Sequence, residues 1–310
     1  MAVRLLSANL SGYPTRPGLK AIEEYIRVGG ENPFTTGVKN AVQDQMNAGV
    51  DIITDGQVRE TALVIASTVP GMVTDNSIHI ENKLGTPRKP TAAEDFSIAV
   101  RECGDVQRVK AILPGPISFA KSCQVNPKST YNSSLDVNLL FDIASILRYE
   151  INALKDRNAS LIQIIEEIDR INDLEVFLEL LSVLFKRVET PICHLVGDVS
   201  ESFLTLLEGA LTVISFDLVA FPQNCSVTRF GEDFASHEKR VSIGCVNAST
   251  ARQEPTSLID KRANAFVDAF GYEAVWISPS ETLAGLPRSS AFRKLTQLEA
   301  IKQRVASRMS

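Results

Sequence analysis

Three side chains at the ends of apolar runs have the types that polar chemistry needs. His194 sits where the strand-like run that begins at Pro191-Ile192-Cys193 should end. Asp217 closes Thr212-Val213-Ile214-Ser215-Phe216, and Glu281 follows Ala274-Val275-Trp276-Ile277 across Ser278-Pro279-Ser280. One imidazole and two carboxylates can hold a divalent metal, a harder ion in preference to thiolate-bound zinc. Without a metal the same trio can serve as acid–base groups. Asp and Glu are equally common as caps of helices and turns. His79 and His237, the other histidines, sit in polar, loop-like surroundings.

Those residues need a frame that brings strand ends together. Apolar strand-like runs occur near 3–10, 50–53, 109–113, 161–165, 191–194, 212–216, 240–245 and 274–277. Helical spacing of apolar residues predicts helices near 17–27, 36–48, 92–102, 136–155, 174–186, 201–207, 258–270 and 289–307. Eight strands alternating with helices, with no linker between them, predict an α/β chain folded as one (β/α)8 TIM barrel over residues 1–310. Residues 66–91 break the rhythm. Ile78-His79-Ile80 alternates like part of a hairpin, so this stretch is expected to be an insertion. An open doubly wound sheet is the alternative, but no G-x-G-x-x-G follows a strand.

In a barrel the carboxyl ends of the strands face the reaction chamber. Besides the trio, those ends offer Asp55, Gln57 and Arg59, then Ser118, Gln163 and Glu166, then Asn247. These are the candidate substrate-binding residues.

Composition narrows the function. The net charge is −5 with basic residues scattered, which excludes the basic face of a nucleic-acid binder. No apolar run approaches the roughly 20 residues of a membrane span. The five cysteines are widely spaced with no CxxC, a usage that suits a cytoplasmic location.

Several segments resemble the catalytic domain of cobalamin-independent methionine synthases, particularly their short archaeal single-domain forms. Val42-Gln43-Asp44-Gln45-Met46-Asn47-Ala48-Gly49-Val50-Asp51-Ile52-Ile53-Thr54-Asp55-Gly56-Gln57-Val58-Arg59 is similar to that family's DQ..AG.(N/D)IISDGQVR segment. Ser11-Gly12-Tyr13-Pro14 resembles its GSYP turn, which adds Tyr13 to the substrate-binding candidates. Gly115-Pro116-Ile117-Ser118 resembles GP(V/C)T, Ile162-Gln163-Ile164-Ile165-Glu166-Glu167 resembles IQIDEP, and Gly244-Cys245-Val246-Asn247 resembles GCVN.

The resemblance implies a (β/α)8 barrel that transfers a methyl group from a methylated folate, pterin or corrinoid. A corrinoid or other methyl-carrier protein is a partner it allows. The family activates homocysteine on zinc held by His, Cys, Glu and Cys, the metal lowering the thiol's pKa. Those ligands fall here on His194, Val196, Asp217 and Glu281, so the family's zinc site is not expected; a metal, if bound, would use His194, Asp217 and Glu281. The family's aspartate in IQIDEP falls on Ile165 and the serine of GSYP on Gly12. The expected function is therefore methyl transfer to an acceptor other than zinc-bound homocysteine, with His194, Asp217 and Glu281 as catalytic residues. The alternatives are a non-catalytic barrel that binds a folate or methyl carrier, and a metal-assisted lyase or hydrolase.

Overall fold

The computed structural model describes residues 5–75, 77–171 and 173–308. Val3 and Arg4, where the first predicted strand begins, and Asn76, within the predicted insertion, lie outside the described residues. In chain order the elements are β1 (Leu6–Ser7), α1 (Leu19–Val28), α2 (Pro33–Asn47), β2 (Ile53–Thr54), α3 (Thr61–Ala66), β3 (Met72–Thr74), β4 (Ile78–Ile80), α4 (Ala92–Cys103), β5 (Val109–Pro114), α5 (Pro116–Ser122), β6 (Cys123–Val125) and α6 (Val137–Lys155). There follow β7 (Leu161–Glu167), α7 (Leu174–Leu184), β8 (Thr190–Val196), α8 (Phe203–Glu208), β9 (Val213–Asp217), α9 (Gly231–Ala235), β10 (Arg240–Val246), α10 (Thr256–Phe270), β11 (Val275–Pro279) and α11 (Arg288–Ser307).

Eight parallel strands run in the order β1-β11-β10-β9-β8-β7-β5-β2. A parallel bridge between Ala8 and Ile52 joins the two ends of that sheet. There the Asn9 N–H donates to the Ile52 carbonyl at 2.9 Å, and the Ile52 N–H to the Ser7 carbonyl at 3.0 Å. The sheet is thus the closed (β/α)8 barrel expected from the alternation of elements.

Period-two alternation sorts each strand into an inner and an outer face. Ala8, Ile52, Leu161, Ile192, Val213 and Trp276 form a small apolar plug inside the barrel. Ile162, Ile164, Cys193, Leu195, Ile214 and Phe216 point outwards into the larger core shared with the helices. Helix α7 shows how a helix joins that core: Phe177, Leu180, Leu181 and Leu184 recur at helical spacing and all are buried. Each such side chain contributes roughly 1.5–3 kcal/mol by leaving water. Asp173 starts α7 by accepting from the N–H groups of Glu175 and Val176. Leu180→Ala would cost about 2–5 kcal/mol through the cavity it leaves.

The insertion does contain a hairpin, β3 antiparallel to β4. It also recruits β6, which pairs parallel to β4 through Ile78–Cys123, His79–Gln124 and Ile80–Val125. Sequence spacing gave no sign of β6, because three residues are too few to show a period. Helix α5 is a second addition, since Pro114-Gly115-Pro116 reads as a turn. Gly115 is extended and Pro116 takes the first helical turn, where its missing N–H costs nothing.

Candidate functional site

A chamber of about 540 Å³ opens at the carboxyl ends of the strands. Apolar lining comes from Leu113 and Pro114 at the end of β5, Ile165 of β7 and Val196 of β8, with Phe119 from α5. Polar lining comes from Arg16, Gln57, Arg59, Glu60, Thr61, Ser118, Glu167 and Thr282.

The turn after β2 aims Gln57 and Arg59 into this space. Gly56 has φ 80° and Gln57 φ 44°, and the Asp55 Oδ1 accepts from the Gln57 N–H at 2.9 Å. A Cβ on Gly56 would lie 2.6 Å from the Ala41 Cβ, so only glycine fits. Burial pushes the Asp55 carboxyl up from its ordinary range, against the pull of the Gln57 N–H and the Arg59 charge. Asp55 lines an adjoining recess with Gln57, Arg59 and Asp95. Arg59 pairs with Asp95, and its guanidinium carbon lies 4.8 Å from the centroid of the Phe34 ring. Arg16 pairs with Glu60 at 2.6 Å nearer to solvent.

His194 and Asp217 are buried, whereas Glu281 is exposed. Among the described residues no group of three or more His, Cys, Asp and Glu side chains could hold a metal. Strand β8 runs two residues beyond His194, so Val196 forms the chamber wall and His194 lies one layer deeper. There its Nδ1 lies 2.9 Å from the Ser215 Oγ. Burial, helped by the Lys110 charge, pushes its pKa down to about 3, leaving a neutral imidazole. Asp217 does close β9, but its Oδ1 accepts from the N–H groups of Val219 and Ala220, fixing the turn that follows. Burial raises its pKa and the Glu281 charge adds to the rise, whereas Glu281 itself is exposed. Of the positions on which the resemblance puts zinc donors, Val196 stands in the chamber wall and Glu281 faces solvent.

Of the predicted substrate-binding residues, Gln57, Arg59 and Ser118 line the chamber and Asp55 adjoins it. Tyr13 is buried in the core, where burial and the nearby Asp44 push its phenol pKa up. Gln163 faces into the barrel below the chamber, accepting from the Lys110 Nζ at 2.6 Å and donating to the Leu10 carbonyl at 3.1 Å. Asn247 accepts from the Ser249 N–H and hydroxyl in its own turn.

Glu166 faces the opposite way from the expectation, out of the barrel. Its oxygens accept from the Ile117 N–H at 2.8 Å, the Ser118 N–H at 2.9 Å and the Ser118 hydroxyl at 2.7 Å, holding the start of α5. Burial pushes its pKa up to about 7 against those three donors. The neighbouring Glu167 is the one that enters the chamber. Strand alternation from Gln163 through Ile165 was the signal that could have found it.

These features define a (β/α)8-barrel protein with a chamber of mixed apolar and polar lining at the carboxyl ends of its strands. Residues 19–174, half of the chain, match the model of the cobalamin-independent synthase catalytic domain, and the chain belongs to that family. It is 27% identical over 307 residues to a methionine synthase from Methanothermobacter thermautotrophicus, covering 95% of this chain and 98% of the relative. It is 29% identical over 290 residues to one from Methanocaldococcus jannaschii, covering 87% of this chain and 89% of the relative. Its fold is similar to that of a B12-independent methionine synthase from a Shewanella species, solved with selenomethionine; the TM-score is 0.81 at 17% identity, covering 99% of each chain.

Proposed function

We propose that this chain is a methyltransferase of the family whose acceptor is not homocysteine bound through zinc. The observation that carries the reading is the chamber's apolar wall of Ile165 and Val196; the resemblance puts a zinc thiolate at Val196 and, at Ile165, an acid that would hold the ammonium of homocysteine. Zinc makes a thiol nucleophilic near neutral pH by stabilising its thiolate. An acceptor here is either nucleophilic on its own or gives up a proton to a carboxylate at the chamber, where Glu60 and Glu167 stand. The methyl donor is a methylated folate, pterin or corrinoid, presented free or on a methyl-carrier protein. Gln57, Arg59 and Ser118 supply the hydrogen-bonding groups that orient it.

The test supplies methyltetrahydrofolate or methylcobalamin with homocysteine and zinc, and in parallel with a small-molecule cell extract as the source of acceptor. Methionine formation at background, with demethylation of one donor in the presence of the extract, is the expected result. Efficient methionine formation overturns the proposed acceptor. Failure to demethylate any donor overturns the transferase reading and favours a binding protein.

A further inference from the structure

We infer that Gln57 is a specificity-determining residue of the chamber, reading a neutral amide edge on the ligand that enters it. The ligand class is a lactam, a ring that carries an N–H beside a carbonyl. This rests on the proposed function in taking the chamber as the substrate site.

The placement comes from the turn after β2. Gly56 and Gln57 have φ of 80° and 44°, a region that residues other than glycine seldom adopt. The Asp55 Oδ1 holds this turn by accepting from the Gln57 N–H at 2.9 Å. Gln57 stands at the boundary between the chamber and the recess beside Asp55, and lines both. Among the described residues its carboxamide has no hydrogen-bond partner.

The charged groups around it are matched. Arg16 pairs with Glu60, and Arg59 with Asp95. Glu167 has a partner of its own, and the Ser118 hydroxyl donates to Glu166. A charged ligand group would have to break or share one of those pairs, whereas a neutral one leaves them whole. Gln57 offers an acceptor oxygen and a donor nitrogen side by side. That combination complements an amide edge, and the two hydrogen bonds form together. An N-alkylated amide of the same shape satisfies only the donor and leaves the Gln57 oxygen unmet in a half-buried position. Leu113, Pro114, Ile165 and Val196 line the same chamber, so a flat ring fused to the amide has an apolar surface to rest on.

Fluorescence titration of the full chain with 2-quinolone and N-methyl-2-quinolone tests this directly. The probes share a fused ring and differ at the single N–H. The wild type should bind 2-quinolone about tenfold more tightly. Gln57→Gly removes the carboxamide and keeps the backbone, because glycine adopts positive φ freely. It should bring the two probes to within about twofold of each other, chiefly by weakening 2-quinolone, without lowering the melting temperature. Gln57→Met, which keeps the length of the side chain and removes its polar atoms, should lose the preference in the same way and decides the question if the glycine variant does not fold. Equal binding of the probes by the wild type, a preference that survives in a folded variant, or no binding of either probe overturns the assignment. Turnover is not read in this experiment. A 2-quinolone preference without methyl transfer leaves Gln57's role standing, and methyl transfer without the preference leaves the transferase reading standing.

Discussion

The Lys110 Nζ donates to the Gln163 Oε1 at 2.6 Å inside the barrel, and both side chains are buried. A neutral amide is a poor partner for a buried ammonium, and burial pushes the Lys110 pKa down to about 7. The unfolded chain holds this proton up to about pH 10.5. Between about pH 7 and 10.5 it therefore binds more protons than the native state, and this group's contribution to stability rises with pH. Below pH 7 the full penalty is present, on the order of a few kcal/mol. Denaturant melts of wild type and Lys110→Met at pH 7 and pH 10 check this. Wild type should gain on the variant as pH rises; parallel profiles would refute the assignment.

His194 gives the complementary acid-side prediction. Its pKa, pushed down from 6.5 to about 3, keeps the native imidazole neutral while the unfolded chain takes up a proton. Stability from this group is present above pH 6.5 and is lost as pH falls from 6.5 towards 3. Proton NMR of the imidazole should show no titration of His194 between pH 5 and 8. A His194 midpoint near 6.5 would mean that it opens to solvent and can act in the chamber after all.

The joint between β7 and α5 predicts a coupled pair of variants. A Cβ on Gly115 would lie 2.2 Å from the Glu166 Cδ, with no room to relax away from the carboxylate's three donors. Gly115→Ala should destabilise by about 1–3 kcal/mol through overpacking. Glu166→Ala should cost about 1–3 kcal/mol by leaving buried donors unmet. The double variant should cost clearly less than the sum, because the alanine at 166 vacates the space the new methyl needs. Additive losses in urea melts would show that the contact is not what limits residue 115.

The barrel was legible because its signals are redundant. Eight apolar runs, each followed by a helix-period stretch, fix the alternation even where β1 and β2 are only two residues long. Gln57, Arg59 and Ser118 were legible as residues of the strand-end face because each follows a strand end closely, and all three line the chamber. Depth and facing were not. His194 read as a strand terminus, yet β8 continues to Val196 and drops the imidazole a layer below the chamber. Glu166 read as a site residue because it follows the apolar run 161–165, although a one-residue step on a strand reverses the face. The meeting of three strand ends depends on register between strands, which a single chain's local pattern does not encode.

Register also makes a rebuilt metal site predictable. His194 and Val196 lie two apart on the inner face of β8, and Asp217 ends the neighbouring β9. With Nδ1 facing Ser215, the imidazole has Nε2 to offer a metal, the usual arrangement for a ligating histidine whose other nitrogen is oriented by a partner. Val196→Cys places a thiol beside it, and Glu281→Cys replaces an exposed acid in the loop after β11 with a second sulfur. The double variant should take up about one zinc per chain, held against a competing chelator, with sulfur in the X-ray absorption spectrum. Zinc binding should also raise its melting temperature by mass action. Val196→Cys alone should bind more weakly, because Asp217 already serves the N–H groups of Val219 and Ala220 and would have to turn from them to ligate. If the double variant takes up no zinc, His194 and Asp217 are held too far apart or too rigidly to close on a metal. If wild type binds zinc as tightly as the variant, the apolar wall at Val196 does not govern the chemistry, and homocysteine returns as an acceptor.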